Sequence, residues 1–119
     1  MRPVSDTDAF VVEAELVLRE EIDPAAVGAA VTVELCGHWQ HAGSCRWPHN
    51  SAIETKRDRA RFRTLFVADE PEAGLVRDRI ETALRGDLGW RVLLIHSRPV
   101  AEAERALAER LLAEPRLAR

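Results

Sequence analysis

The sequence predicts an α+β domain, and three observations carry that expectation. Residues 9 to 20 alternate apolar and polar side chains with a period of two. Residues 69 to 86 place apolar side chains at helical spacing between a proline and a glycine, and a second helical stripe follows a compact apolar run near the C-terminus. Strands and helices in this succession are expected to form a mixed sheet of about four strands, in the order β-β-β-α-β-α, with two amphipathic helices packed on it. At 119 residues with 46% apolar content the chain has material for one core, so residues 1–119 are read as a single domain with flexible tails at 1–7 and 115–119.

The elements follow in order. Phe10, Val12, Ala14, Leu16 and Leu18 share one side of the first strand. Asp23-Pro24 offers an N-cap and a proline at the first helical position, but the following Ala25-Ala26-Val27-Gly28 is brief, so a short helix or a loop is expected there. From Val31 the period of two returns and predicts a second strand to about Gln40, with Val31, Val33, Leu35 and Trp39 inward. Residues 51 to 68 read as its hairpin partner, with Phe62 and Phe66 on one side and Arg57, Arg59, Arg61 and Arg63 on the other. Lys56-Arg57-Asp58-Arg59 also fits a turn, and periodicity leaves both readings open. Pro71 opens a helix whose stripe is Ala73, Val76, Ile80, Ala83 and Leu84, stopped by Gly86. Trp90 to Ile95 is apolar on both sides apart from Arg91, as a central strand would be. The last helix starts near Pro99, with Val100, Ala103, Leu107 and Leu111 inward, and ends before Pro115.

Composition narrows the function classes. No apolar run approaches the roughly 20 residues of a membrane span, and the first residues lack a secretory pattern, so a cytoplasmic protein is expected. Two cysteines make no disulfide framework, and in a reducing compartment they read as thiols, ligands or a redox pair. The net charge of −3 conceals six basic and two acidic residues between 46 and 64. That local excess suits an anionic small molecule or protein partner better than nucleic acid, and self-association is the other partner reading.

Chemically unusual residues concentrate between Cys36 and Asn50, which holds both cysteines, three of four histidines and two of three tryptophans. Cys36, His38, Cys45 and His49 have the stoichiometry of a tetrahedral zinc site, with His41 as an alternative to His49. With three ligands the metal would keep an open position for an activated water. Cys36 and Cys45 could instead form a redox pair. Arg46 and Trp47 lie in an irregular loop where a flat ring can stack on a ligand, and Arg57, Arg59, Arg61 and Arg63 can hold an anion. The duller reading gives the cysteines and histidines ordinary packing and loop hydrogen bonds, and makes the arginines the solvated face of an edge strand.

Glu54-Thr55-Lys56, an E-x-K on a strand before a helix, resembles the motif of restriction-endonuclease-like nucleases. The resemblance covers three residues and the element order. It implies an acid that binds Mg²⁺ and a lysine that orients the attacking water. His96-Ser97-Arg98 precedes a helix N-terminus, a place suited to anions, but strand topology sets His96 apart from the Cys/His loop. The sequence thus leads to the expectation of a small binding domain with a Cys/His/Trp loop, zinc as its candidate metal, and a basic strand. A metal-dependent hydrolase or nuclease and a single-stranded nucleic-acid-binding module are the alternatives.

Overall fold

A computed structural model describes residues 7–36, 46–86 and 89–114. The order of elements is β1 (Thr7–Leu18), α1 (Ala25–Cys36), β2 (His49–Lys56), β3 (Arg59–Asp69), α2 (Ala73–Leu84), β4 (Trp90–Arg98) and α3 (Arg105–Ala113), with a 3₁₀ turn before each of α2 and α3. The four strands form one sheet in the order β2-β3-β1-β4, and every neighbouring pair is antiparallel. The α+β class therefore stands, with an antiparallel sheet in place of a mixed one. Because β1 lies antiparallel between β3 and β4, those two run in the same direction and α2 crosses over β1 to join them. The connection from β1 through α1 to β2 repeats this device, which makes the first six elements the split β-α-β arrangement termed ferredoxin-like.

One expected element changes type. Residues 31 to 36, expected in a strand, belong to α1, and Gly37 to Gln40 of that expected strand lie outside the described residues. Val31 and Leu35 fit both periods, but the buried set of α1 is Val27, Val31 and Leu35, four residues apart, while Val33 is 43% exposed. The cap read from the sequence is present: Asp23 Oδ1 accepts the Ala25 N–H at 3.0 Å. Burial against the sheet overrides the weak helix propensity of Gly28 and the β-branched residues.

The sheet has two unlike faces. α1 and α2 cover one of them, where Val12, Ala14, Leu16, Phe62 and Phe66 of the central strands meet Val27, Val31, Val76, Ile80 and Leu84. Each fully buried side chain of this size contributes roughly 1.5–3 kcal/mol. Among the described residues only α3 covers the opposite face, packing Leu107, Ala108 and Leu111 on Val11, Leu65 and Val67. No other described helix lies on that face, termed the open face below. β4 is an edge strand rather than a central one, and Leu93 and Leu94 are 41% and 50% exposed. Thr7, expected in the N-terminal tail, belongs to β1 and donates to Asp69 Oδ1 at 2.6 Å, and residues 1–6 of that tail lie outside the described residues. No helix among the described residues is long and apolar enough to cross a membrane.

Candidate functional site

The residues singled out by the sequence separate into two places. The first is the segment entering β2. Trp47 is 3% exposed and donates its indole N–H to Glu72 Oε1 at 3.2 Å. The guanidinium groups of Arg46 and Arg79 lie 4.7 Å and 5.5 Å from the centroid of its ring, and Arg46 also pairs with Glu72 Oε2 at 2.6 Å. Trp47, expected to offer a stacking surface, is instead part of the core, pinned by two cations and a carboxylate. Arg46 is spent on the same arrangement.

His49 opens β2 with both ring nitrogens engaged. Nδ1 lies 3.1 Å from the Trp47 carbonyl and must carry the proton there, while Nε2 lies 3.1 Å from the Thr32 hydroxyl. Both ring nitrogens are thus taken up within the chain, which leaves neither directed at a metal. Cys36, the last residue of α1, is disulfide-bonded. His38, His41 and Cys45 lie outside the described residues. Among the described residues there is no group of three or more His, Cys, Asp or Glu placed to hold a metal ion.

His96 is separate from His49, for a reason other than the one expected. Both lie toward the same end of the sheet, but His49 pairs with Phe66 on the covered face and His96 with Glu13 on the open one. His96 Nε2 lies 3.2 Å from Glu13 Oε1.

The second place is the open face. Arg57 does not share it, because Arg57-Asp58 forms a two-residue turn between β2 and β3, with Arg57 at φ 60°. Arg63 shares it but is engaged: it meets Glu104 Oε2 at 3.4 Å and donates to the Asn50 carbonyl at 3.1 Å. Glu104 is bound more closely by Arg98, with two contacts of 2.9 Å, and Arg98 also reaches Glu13 at 3.4 Å. The Arg98 hydrogen bonds hold the Glu104 carboxyl at about 2, well below the usual carboxylate range, and the same contacts raise Arg98. This network fastens the start of α3 to the sheet. Nothing local in the sequence marks Glu13 or Glu72 as partners, because their bonds join distant segments, whereas Arg98 and Glu104 are six residues apart.

What remains available is a basic corner beside the turn. Lys56 stands opposite Arg59, and Arg61 stands between Glu54 on β2 and Glu15 on β1. These five side chains line a shallow concavity of about 700 Å³. Lys56, Arg59 and Arg61 are exposed and form no ion pair with a described residue. Glu54 and Lys56 do share this concavity, as the nuclease reading requires. The second carboxylate is Glu15, however, and the Arg61 strand position lies between the two acids where such a reading needs a cation bound by both. No described aromatic side chain reaches the open face: Phe10, Phe62, Phe66 and Trp90 all belong to the covered side, and Trp47 packs in the same core. Comparison with protein-family models and with curated proteins finds no match.

Proposed function

We propose that this chain is a binding domain for an anionic protein partner, which it engages through Lys56, Arg59 and Arg61 at the hairpin corner of the open face. The observation that supports this reading is that these cations are exposed and form no ion pair with a described residue, while Arg46, Arg63 and Arg98 are all held by carboxylates of the same chain. A surface cation without an intramolecular partner gives up only its own side-chain freedom on meeting a ligand, whereas a paired one must also release its carboxylate. The absence of an aromatic platform on the described open face removes the stacking contribution on which single-stranded nucleic-acid binding depends. The Cys36, His38, Cys45, His49 set forms no part of the proposal, because two members lie outside the described residues and the other two are committed to a disulfide and to hydrogen bonds.

The test is fluorescence anisotropy of labelled oligoglutamate, with oligolysine and a single-stranded oligonucleotide as controls. Oligoglutamate is expected to bind in low salt and to weaken as salt rises, and charge reversal at Lys56, Arg59 and Arg61 together is expected to abolish binding. Tighter binding of the oligonucleotide would favour the nucleic-acid reading. No binding of either anion would sink the proposal.

A further inference from the structure

The edge strand β2 has a concavity on each side. The basic one lies on the open face, and on the covered face a groove of about 420 Å³ runs between α1 and β2, bounded by Gly28, Ala29 and Thr32 of the helix and Ser51 and Ile53 of the strand. Between these two hollows runs a row of backbone groups with no strand partner among the described residues, and its register can be read. The Pro48 carbonyl accepts the Val67 N–H at 2.9 Å, and the two-residue turn closes on the Lys56–Arg59 pair. Antiparallel pairs alternate between hydrogen-bonded and not. Asn50, Ala52, Glu54 and Lys56 therefore bond to β3, while the backbone N–H and C=O of Ser51, Ile53 and Thr55 point to the free edge. The register with β3 is unbroken along all of β2. β4, the other edge, has an irregularity opposite Glu15/Leu16 that interrupts such a row.

We infer that β2 takes up an extended acidic segment of a partner protein as a fifth strand of the sheet. This deepens the proposed function and rests on it. Side chains alternate across an added strand, so every second residue, opposite Ser51 and Ile53, enters the groove beside α1, where small helix residues leave room for apolar groups. The intervening residues fall on the open face opposite Ala52, Glu54 and Lys56, where a carboxylate beside the turn meets Lys56 directly and Arg61 lies one strand further in, across Glu54. Main-chain hydrogen bonds supply the affinity, and the two hollows select a segment that alternates apolar and acidic residues.

The full chain is titrated into a fluorescein-labelled peptide of alternating glutamate and valine, and into the same peptide with each valine N-methylated, which keeps the charge and the side chains but removes the ladder donors and blocks that edge with a methyl group. The unmodified peptide is expected to bind, the N-methylated one to lose about tenfold or more, and the Lys56→Glu/Arg61→Glu variant to lose a comparable factor. In parallel, amide hydrogen exchange at Ser51, Ile53 and Thr55 is expected to be fast in the free protein and slow with peptide, with Ala52 and Glu54 slow in both. Equal binding of the two peptides would overturn strand addition and leave the anionic-partner reading standing. Failure of both to bind would overturn both. Slow exchange at Ser51, Ile53 and Thr55 without peptide would show the edge already covered, by a second copy or by the chain itself, and would also overturn the inference.

Discussion

Trp47 and Glu72 are joined by a hydrogen bond from a buried indole to a carboxylate that also holds Arg46, and this ties the entry of β2 to the start of α2. Removing the acceptor strands a donor that water cannot reach. Glu72→Ala is therefore expected to lower stability by about 1–3 kcal/mol. Glu72→Gln, which still offers an oxygen to the indole, should lose less. Urea unfolding of both variants would check this, and two curves superimposed on the wild type would refute it.

Glu104 makes the docking of α3 sensitive to acid. Its carboxyl is depressed in the folded chain to about 2 from the ordinary 4.5, so the bonds to Arg98 and Arg63 stabilise fully above the unfolded value and fade as pH falls from there toward about 2. Glu104→Gln is expected to cost roughly 1–3 kcal/mol near neutrality, as a charge-assisted hydrogen-bond network would. The gap between variant and wild type should narrow steadily below pH 4.5. A gap that does not change with pH would mean that Glu104 acts through packing alone.

Arg57 adopts a positive φ at the first central position of its two-residue turn, where Asp58 does not. That pattern suits glycine, which has no Cβ to crowd the backbone. Arg57→Gly is expected to leave stability unchanged or raise it by about 0.5–1 kcal/mol, despite removing a charge. A clear loss in a thermal melt would show that the arginine side chain contributes something beyond the turn.

The residues that can be read from the sequence are those whose neighbours in sequence are also their neighbours in space. The alternation of β1 and the stripe of Val76, Ile80, Ala83 and Leu84 in α2 predict those elements because the period alone decides which face is buried. α1 is misread because Val31 and Leu35 satisfy both periods, and only the exposure of Val33 separates them. The same logic divides the basic cluster. Arg59 and Arg61 share a face by simple alternation, whereas the turn at Arg57 is fixed by a distant bond, from the Leu18 N–H to the Asp58 carbonyl at 2.8 Å. The loss of Trp47 and Arg46 as ligand contacts depends on Glu72, whose approach no local pattern announces.

Gly89 has φ 105°, and a side chain there would run into Ile22. Its carbonyl accepts the Arg19 N–H at 3.0 Å, which anchors the start of β4. Gly89→Ala is expected to lower stability by about 1–3 kcal/mol through backbone strain, with the clash against Ile22 in addition. Pairing it with Ile22→Ala should recover the share due to the clash and leave the strain. Full recovery in the double variant would show that the backbone conformation is not the source.

The central position of β1 also sets the order in which the molecule can be made. Val17 pairs with Arg59 and Thr7 with Asp69, while Val11 waits for Arg98, so the first strand synthesised is flanked by the third and the fourth. Hairpin β2–β3 can zip up early around its own turn. β1 cannot find its second neighbour until β4 has emerged, a sequence-distant closure that slows folding relative to a helical domain of this size. A chain stalled before β4 would leave the middle strand of the finished sheet as a raw edge.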